Sequence, residues 1–231
     1  MNLQTYGVIE RYMLSCMDDS AHDKDHIYRV LYAAMDIART EAAVDYDVLI
    51  CACLLHDIGR QEQNENPALC HAAVGAEKAV AFLVSAGFER EYAHRVGSCI
   101  RAHRFRTDAT AGSMEAKILF DADKIDVTGT IGIARTILYN GQIADPLYSL
   151  WPDGSVCDGS GDAESSFFRE YKYKLEHIYD KFYTERGAEI ARERRASAKV
   201  FYESMLREVR SSYGLGRELL YHQLGDTSRK S

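Results

Sequence analysis

Cys53-Leu54-Leu55-His56-Asp57-Ile58-Gly59-Arg60 is the stretch that decides how this chain folds. Behind it lies Val48-Leu49-Ile50-Cys51-Ala52, so an unbroken apolar run ends abruptly in an imidazole and a carboxylate, with a glycine two residues further on. Such a run predicts a buried helix from Asp47 to Leu55, brought to a stop by Gly59. Its C-terminal end then delivers two metal-ligating side chains to the edge of a core.

Upstream, Leu3, Val8, Ile9, Tyr12, Met13 and Cys16 predict a first helix over residues 3–17. The polar stretch 18–25 is rich in helix-capping residues and leads into a second helix, Asp25 to Glu41. The buried stripe of that helix is Ile27, Val30, Leu31, Ala34 and Ile37 or Ala38, and His26 sits in its first turn. A turn at 43–46 sends the chain back. An antiparallel helix pair therefore brings His26 beside His56 and Asp57.

Downstream, Gln61, Glu62, Gln63, Asn64, Glu65 and Asn66 make 60–67 a polar loop bordering that site. Helices are expected from Ala68 to about Ala86, with His71 near the start, and from Glu91 to His103. After a small-residue loop at 107–114, the run Ala116 to Asp126 is again apolar turning acidic. At helical spacing Asp121 and Asp123 point about 200° apart, so at most one of them is the buried acid. A helix over Ile131–Leu138 precedes 140–161, which holds Pro146, Trp151, Pro152 and four glycines and reads as a surface loop or lid. Phe167, Phe168, Tyr171, Leu175, Ile178 and Phe182 predict one amphipathic helix from Ala163 to about Thr184, and a last long helix runs from Gly187 to about Tyr213.

Three prolines in 231 residues, with alanine, arginine, glutamate and leucine in long unbroken segments, make the fold class all-α. The expected organisation is one domain: a helical core over 1–140 with its motif region at about 20–130, a lid at 141–162, C-terminal helices packed on the core at 163–213, and a partly ordered tail at 214–231. Apolar content of 46% and charged content of 27% exclude wholesale disorder. A net charge of -7 excludes a protein whose main task is coating a nucleic-acid polymer. The cysteines at 16, 51, 53, 70, 99 and 157 lack zinc-knuckle spacing. With no charged-then-apolar leader, they read as reduced thiols of a cytoplasmic protein. No apolar run reaches the roughly 20 residues of a membrane span, so no membrane partner is expected. A homo-oligomer stays open.

Two neutral imidazoles and two carboxylates suit Mn²⁺, Fe²⁺, Co²⁺, Ni²⁺ or Zn²⁺ better than Ca²⁺ or an all-oxygen Mg²⁺ site, although Mg²⁺ remains an option. Four protein ligands leave an octahedral ion two positions for water or substrate. Such a centre lowers the pKa of its water and stabilises charge on a phosphoryl oxygen. Arg60, Arg104 and Lys124, close in sequence to these ligands, suit substrate phosphate oxygens. Asp57, Asp121, Glu62 and Glu65 are the candidates to take a proton from the water.

This constellation resembles that of the HD-domain metal-dependent phosphohydrolases, which have a histidine, then an adjacent His-Asp, then a distal aspartate on successive helices. Here the matching residues are His26, His56-Asp57 and the Ala122-Asp123-Lys124-Ile125 segment, with Gly59 following. The resemblance covers about residues 20–140. It implies an HD-type bundle and a divalent transition metal ion held by His26, His56, Asp57 and Asp123. It also implies hydrolysis of a phosphoester or phosphoanhydride. A further likeness, in Asp121 to Asp126, Gly129, Ile131 to Arg135 and Ala188 to Arg195, is to bacterial HD hydrolases credited with nucleoside-triphosphate pyrophosphohydrolase activity. It implies a small phosphorylated substrate, a nucleotide and specifically a (deoxy)nucleoside triphosphate. The alternatives are a nucleotide phosphodiesterase or nucleotidase of the same superfamily, and a non-catalytic module that binds a nucleotide to regulate. His71 and His103 stand where two-metal HD phosphodiesterases place extra ligands, but Arg104 replaces the second adjacent histidine of those proteins. The two are therefore expected to face substrate phosphate or to support the ligands from outside.

Overall fold

The computed structural model describes residues 1–17, 24–104 and 111–225. His22, Arg106, residues 107–110 of the expected 107–114 loop and the end of the tail lie outside the described residues. The chain is all-α: among the described residues β structure is limited to one isolated antiparallel bridge, Leu150 to Val156.

Two compact units are present, Met1–Asp126 with Asp180–Ala191, and Val127–Tyr179 with Arg192–Ser231. The first holds α1 (Leu3–Ser15), α2 (Lys24–Ala38), α3 (Tyr46–Leu55), α4 (Arg60–Glu65), α5 (His71–Ser85), α6 (Arg90–Ala102) and α7 (Met114–Ile125). Helix α3 is apolar on every side, and Val48, Leu49 and all of Cys51 to Leu55 are buried. A helix of that composition is stable only when surrounded, and α1, α2, α6 and α7 all pack against it. Its start is fixed by Asp45, whose side chain accepts from the Asp47 and Val48 amides at 3.1 and 3.2 Å. Its end coincides with the His-Asp pair.

Gly59 follows that pair because nothing larger fits. A Cβ there would lie 2.4 Å from the His71 carbonyl oxygen and 2.6 Å from the Gly75 amide nitrogen. The turn after Asp57 therefore sits directly on the start of α5, which carries His71 to the same place.

The second unit holds α8 (Gly129–Gln142), α9 (Phe167–Tyr173), most of a 3-10 helix (Leu175–Asp180) and the larger part of α10 (Glu185–Gln223). Tyr171 stacks on Tyr202 with centroids 4.1 Å apart, and Phe168 meets the same ring edge-on.

Four expectations need correction. The polar stretch after Gly59 is helix α4 for its first six residues. The single helix expected over 163–184 is α9 followed by a 3-10 helix. Buried Leu175 and Ile178 are spaced by three residues, which the tighter 3-10 turn keeps on one side. The helix expected to end at Leu138 runs to Gln142. Helix α10 continues through Gly214 and Gly216 to Gln223, beyond the expected start of a loose tail. Arg217 donates to the Gly154 and Asp153 carbonyls at 2.7 and 2.8 Å, and Arg210 to the Val156 carbonyl at 3.4 Å, which offsets the roughly 1 kcal/mol that each helical glycine costs.

Candidate metal centre

Four histidines converge in the first unit, each almost fully buried: His26, His56, His71 and His103. They arrive from the start of α2, the end of α3, the start of α5 and the end of α6. In each ring Nδ1 faces an acceptor. His26 Nδ1 is 2.7 Å from Asp126 Oδ2, His56 Nδ1 2.8 Å from the Cys53 carbonyl oxygen, and His103 Nδ1 2.5 Å from the Ile100 carbonyl oxygen. His71 Nδ1 lies 2.8 Å from Gln63 Oε1, and the Gln63 amide is oriented by donating from Nε2 to the Leu69 carbonyl at 3.0 Å. These partners only accept, so Nδ1 carries the proton in each ring, and in a neutral ring Nε2 then presents a lone pair.

The Nε2 atoms meet in pairs. His26 and His56 approach to 3.3 Å, as do His71 and His103. Asp57 lies between the pairs: Oδ2 is 3.6 Å from His26 Nε2 and 3.8 Å from His56 Nε2, while Oδ1 is 3.6 Å from His71 and 3.7 Å from His103. Asp123 Oδ1 closes the first group at 3.4 Å from His26 and 3.9 Å from His56. Two trios result, His26/His56/Asp123 and Asp57/His71/His103, each with its ligand atoms within 4.8 Å of one another.

Electrostatics point the same way. Burial pushes His56 down to about 4 and His71 down to about 3, against the pull of Asp57, so both rings are neutral at pH 7. Burial opposes the charge of Asp57, but the Arg60 guanidinium beside it holds its carboxyl well below the usual range. Neither Asp57 oxygen has a hydrogen-bond partner although the residue is only 2% exposed. Arg60 Nε approaches Oδ1 to 3.0 Å as an ion pair without hydrogen-bond alignment. A buried, ionised carboxylate with no hydrogen bond, facing four Nε2 atoms and paired only at its edge with Arg60, is costly unless a cation sits among them. The donor set fits a borderline divalent ion.

Residues 24–128, which contain all of these groups, match the HD domain family. YpgQ of Bacillus subtilis (strain 168) is 28% identical over 196 residues, covering 83% of this chain and 86% of YpgQ. The crystal structure of YpgQ in complex with ADP superposes with a TM-score of 0.68 at 26% identity, covering 88% of this chain and 97% of that one. A predicted HD superfamily hydrolase from an uncultured Thermotogales bacterium superposes with a TM-score of 0.57 at 29% identity, covering 89% and 92%.

Of the residues singled out in the sequence, His26, His56, Asp57, Asp123, Arg60, His71 and His103 are brought together. Others are not. Asp121, fully buried, turns from the histidines and accepts from the Tyr183 amide (2.9 Å), the Thr184 amide (2.7 Å) and the Thr184 hydroxyl (2.7 Å). Lys124 donates to the Lys181 carbonyl at 3.2 Å and lies 4.2 Å above the Phe120 ring; burial brings its pKa down to about 8. Arg104 donates to Cys70 Sγ at 3.4 Å. Glu62 binds Lys78 at 2.6 Å, and the exposed Glu65 accepts from Gln61 at 3.2 Å. Sequence reasoning missed Gln63, Arg29 and the two carbonyls of Cys53 and Ile100. Arg29 had one signal: it stands three residues after His26, on the same face of α2.

Proposed function

We propose that this protein is a cytoplasmic, metal-dependent hydrolase of a phosphoester or phosphoanhydride in a nucleotide, with (deoxy)nucleoside triphosphates the first substrates to try. The observation that carries it is Asp57, buried and without a hydrogen bond between two pairs of inward Nε2 atoms. His26, His56, Asp57 and Asp123 would hold the ion. A divalent cation there would supply Lewis-acid stabilisation of a phosphoryl oxygen and lower the pKa of a water.

The chain's own groups account for the rest. Arg60, 29% exposed and beside Asp57, offers a guanidinium fork to phosphate. Of the candidate proton acceptors only Asp57 lies among the histidines, and with its carboxyl held well below the usual range it serves as a ligand rather than as the base; Asp121 and Glu65 are engaged elsewhere. A nucleotide is supported by ADP bound to YpgQ, a relative spanning most of this chain. The six unpaired cysteines fit a reducing compartment.

A second reading concerns stoichiometry. Asp57, His71 and His103 form a second trio with its ligand atoms close together, and the Nδ1 acceptors of both rings leave Nε2 facing that trio, so these three residues would suit a second cation better than contact with a phosphate oxygen. Mn²⁺ titration would give two equivalents per chain on this reading and one if the first trio acts alone. The functional test is a panel of nucleoside mono-, di- and triphosphates with Mn²⁺, Co²⁺, Ni²⁺ and Mg²⁺, scored for both phosphate and pyrophosphate. Pyrophosphate from a triphosphate supports pyrophosphohydrolysis, and phosphate alone a nucleotidase. Nucleotide binding without turnover under any ion contradicts the enzyme.

A further inference from the structure

Asp126 lies at the C-terminal cap of α7, one turn after Asp123, and is only 3% exposed. Its carboxylate accepts from His26 and Arg29 of α2. Oδ2 accepts from His26 Nδ1 at 2.7 Å and from Arg29 Nη2 at 3.1 Å, and Oδ1 accepts from Arg29 Nε at 2.7 Å. Two turns of helix thus supply both a ligand and its support: α7 gives Asp123 and Asp126, and α2 gives His26 and Arg29. The other three imidazoles rest on a neutral amide or on carbonyls, so His26 is the one ring of the four given a full negative charge at Nδ1.

We infer that Asp126 is the positioning residue of the metal centre, fixing His26 with its proton on Nδ1 and enriching Nε2 in electron density, while Arg29 tempers that carboxylate. The inference rests on the metal-binding reading above. A carboxylate behind a ligating imidazole holds the ring in one tautomer and raises its basicity towards the ion. Arg29 draws on the same carboxylate in the opposite sense and adds positive charge near a site meant for a cation. A plain ion pair tying α7 to α2 would give the two residues one effect, whereas this arrangement gives them effects of opposite sign on metal affinity.

The experiment is Mn²⁺ affinity by calorimetry on the full chain, alongside Tm, for the parent, Asp126→Asn and Arg29→Gln. Asp126→Asn should bind about 10- to 100-fold more weakly. Arg29→Gln should bind at least as tightly as the parent, although both variants lower Tm. Unchanged affinity in Asp126→Asn overturns the inference, and so does an Arg29→Gln variant weakened as much as Asp126→Asn. Should Asp126→Asn not fold, Arg29→Gln still decides: weakened binding contradicts the tempering role, and tighter binding supports it. A parent that binds no Mn²⁺ removes the metal centre itself, a different failure from a parent that binds and an Asp126→Asn that binds equally.

Discussion

Asp121 and Asp123 stand two residues apart on α7 and face different neighbours. Asp123 Oδ1 meets His26 and His56, whereas Asp121 holds the backbone of Tyr183 and Thr184 just before α10. Helical geometry showed that only one of the pair could join the histidines. The choice between them depended on a segment about 60 residues further along, which spacing does not reveal. Exchanging each for alanine separates the roles. Asp123→Ala should abolish Mn²⁺ binding with little change in stability. Asp121→Ala should retain metal but lose about 3 kcal/mol in chemical denaturation, because the buried Thr184 amide and hydroxyl and the part-buried Tyr183 amide lose their acceptor. If Asp121→Ala released the metal and left stability intact, the two assignments would be reversed.

Among the elements, α3 was the most legible, since an apolar run of that length with a glycine beyond it has few other readings. Helix α4 was not legible: Arg60 to Glu65 are all polar, show no apolar period, and take helical form where Lys78 binds Glu62 and the Ile58 carbonyl, and Gln63 meets His71. The extension of α10 was hidden for a similar reason, because two glycines argued against helix locally while Arg217 fastened it from outside. Two outcomes follow. Gly59→Ala should destabilise by roughly the 1–3 kcal/mol of an overpacked core, where the same exchange at an unstrained site stabilises by about 0.4–1 kcal/mol, because the added methyl meets backbone rather than a yielding side chain. Thermal melts of the variant check this. Arg217→Ala should raise amide hydrogen exchange over residues 214–223 and leave α3 protected; unchanged exchange there would show that Arg217 does not fasten the helix.

For the molecule as a whole, the buried imidazoles make stability depend on pH. His56 titrates at about 6.5 when unfolded and about 4 when folded, so between those values the unfolded chain takes a proton that the folded chain refuses. In the presence of a chelator, stability should therefore fall as pH drops from about 6.5 to about 4, by on the order of 3 kcal/mol from this ring. His56→Asn should flatten that part of the profile, and an equally steep profile in the variant would assign the effect to other groups. Chelation matters because an ion bound only by the folded chain adds its own stabilisation, which should appear at pH 7 as a rise in Tm with Mn²⁺ and its reversal by chelator.

The all-α class and a site drawing on His26, His56-Asp57 and one acid of the Asp121–Asp123 pair could be read from apolar period and residue order, whereas Asp123 itself was implied by the resemblance to HD hydrolases. The tautomer of each ring could not, since it depends on carbonyls, an amide and a carboxylate that the fold alone brings near. No helix among the described residues is long and apolar enough to cross a membrane, in keeping with the short apolar runs of the sequence. The most direct measurement of the central claim is anomalous diffraction at the manganese edge from crystals of the full chain grown with Mn²⁺. The account predicts a peak within bonding distance of His26 Nε2, His56 Nε2, Asp57 Oδ2 and Asp123 Oδ1. Saturating Mn²⁺ with no peak there, or with its only peak on surface carboxylates, would contradict it.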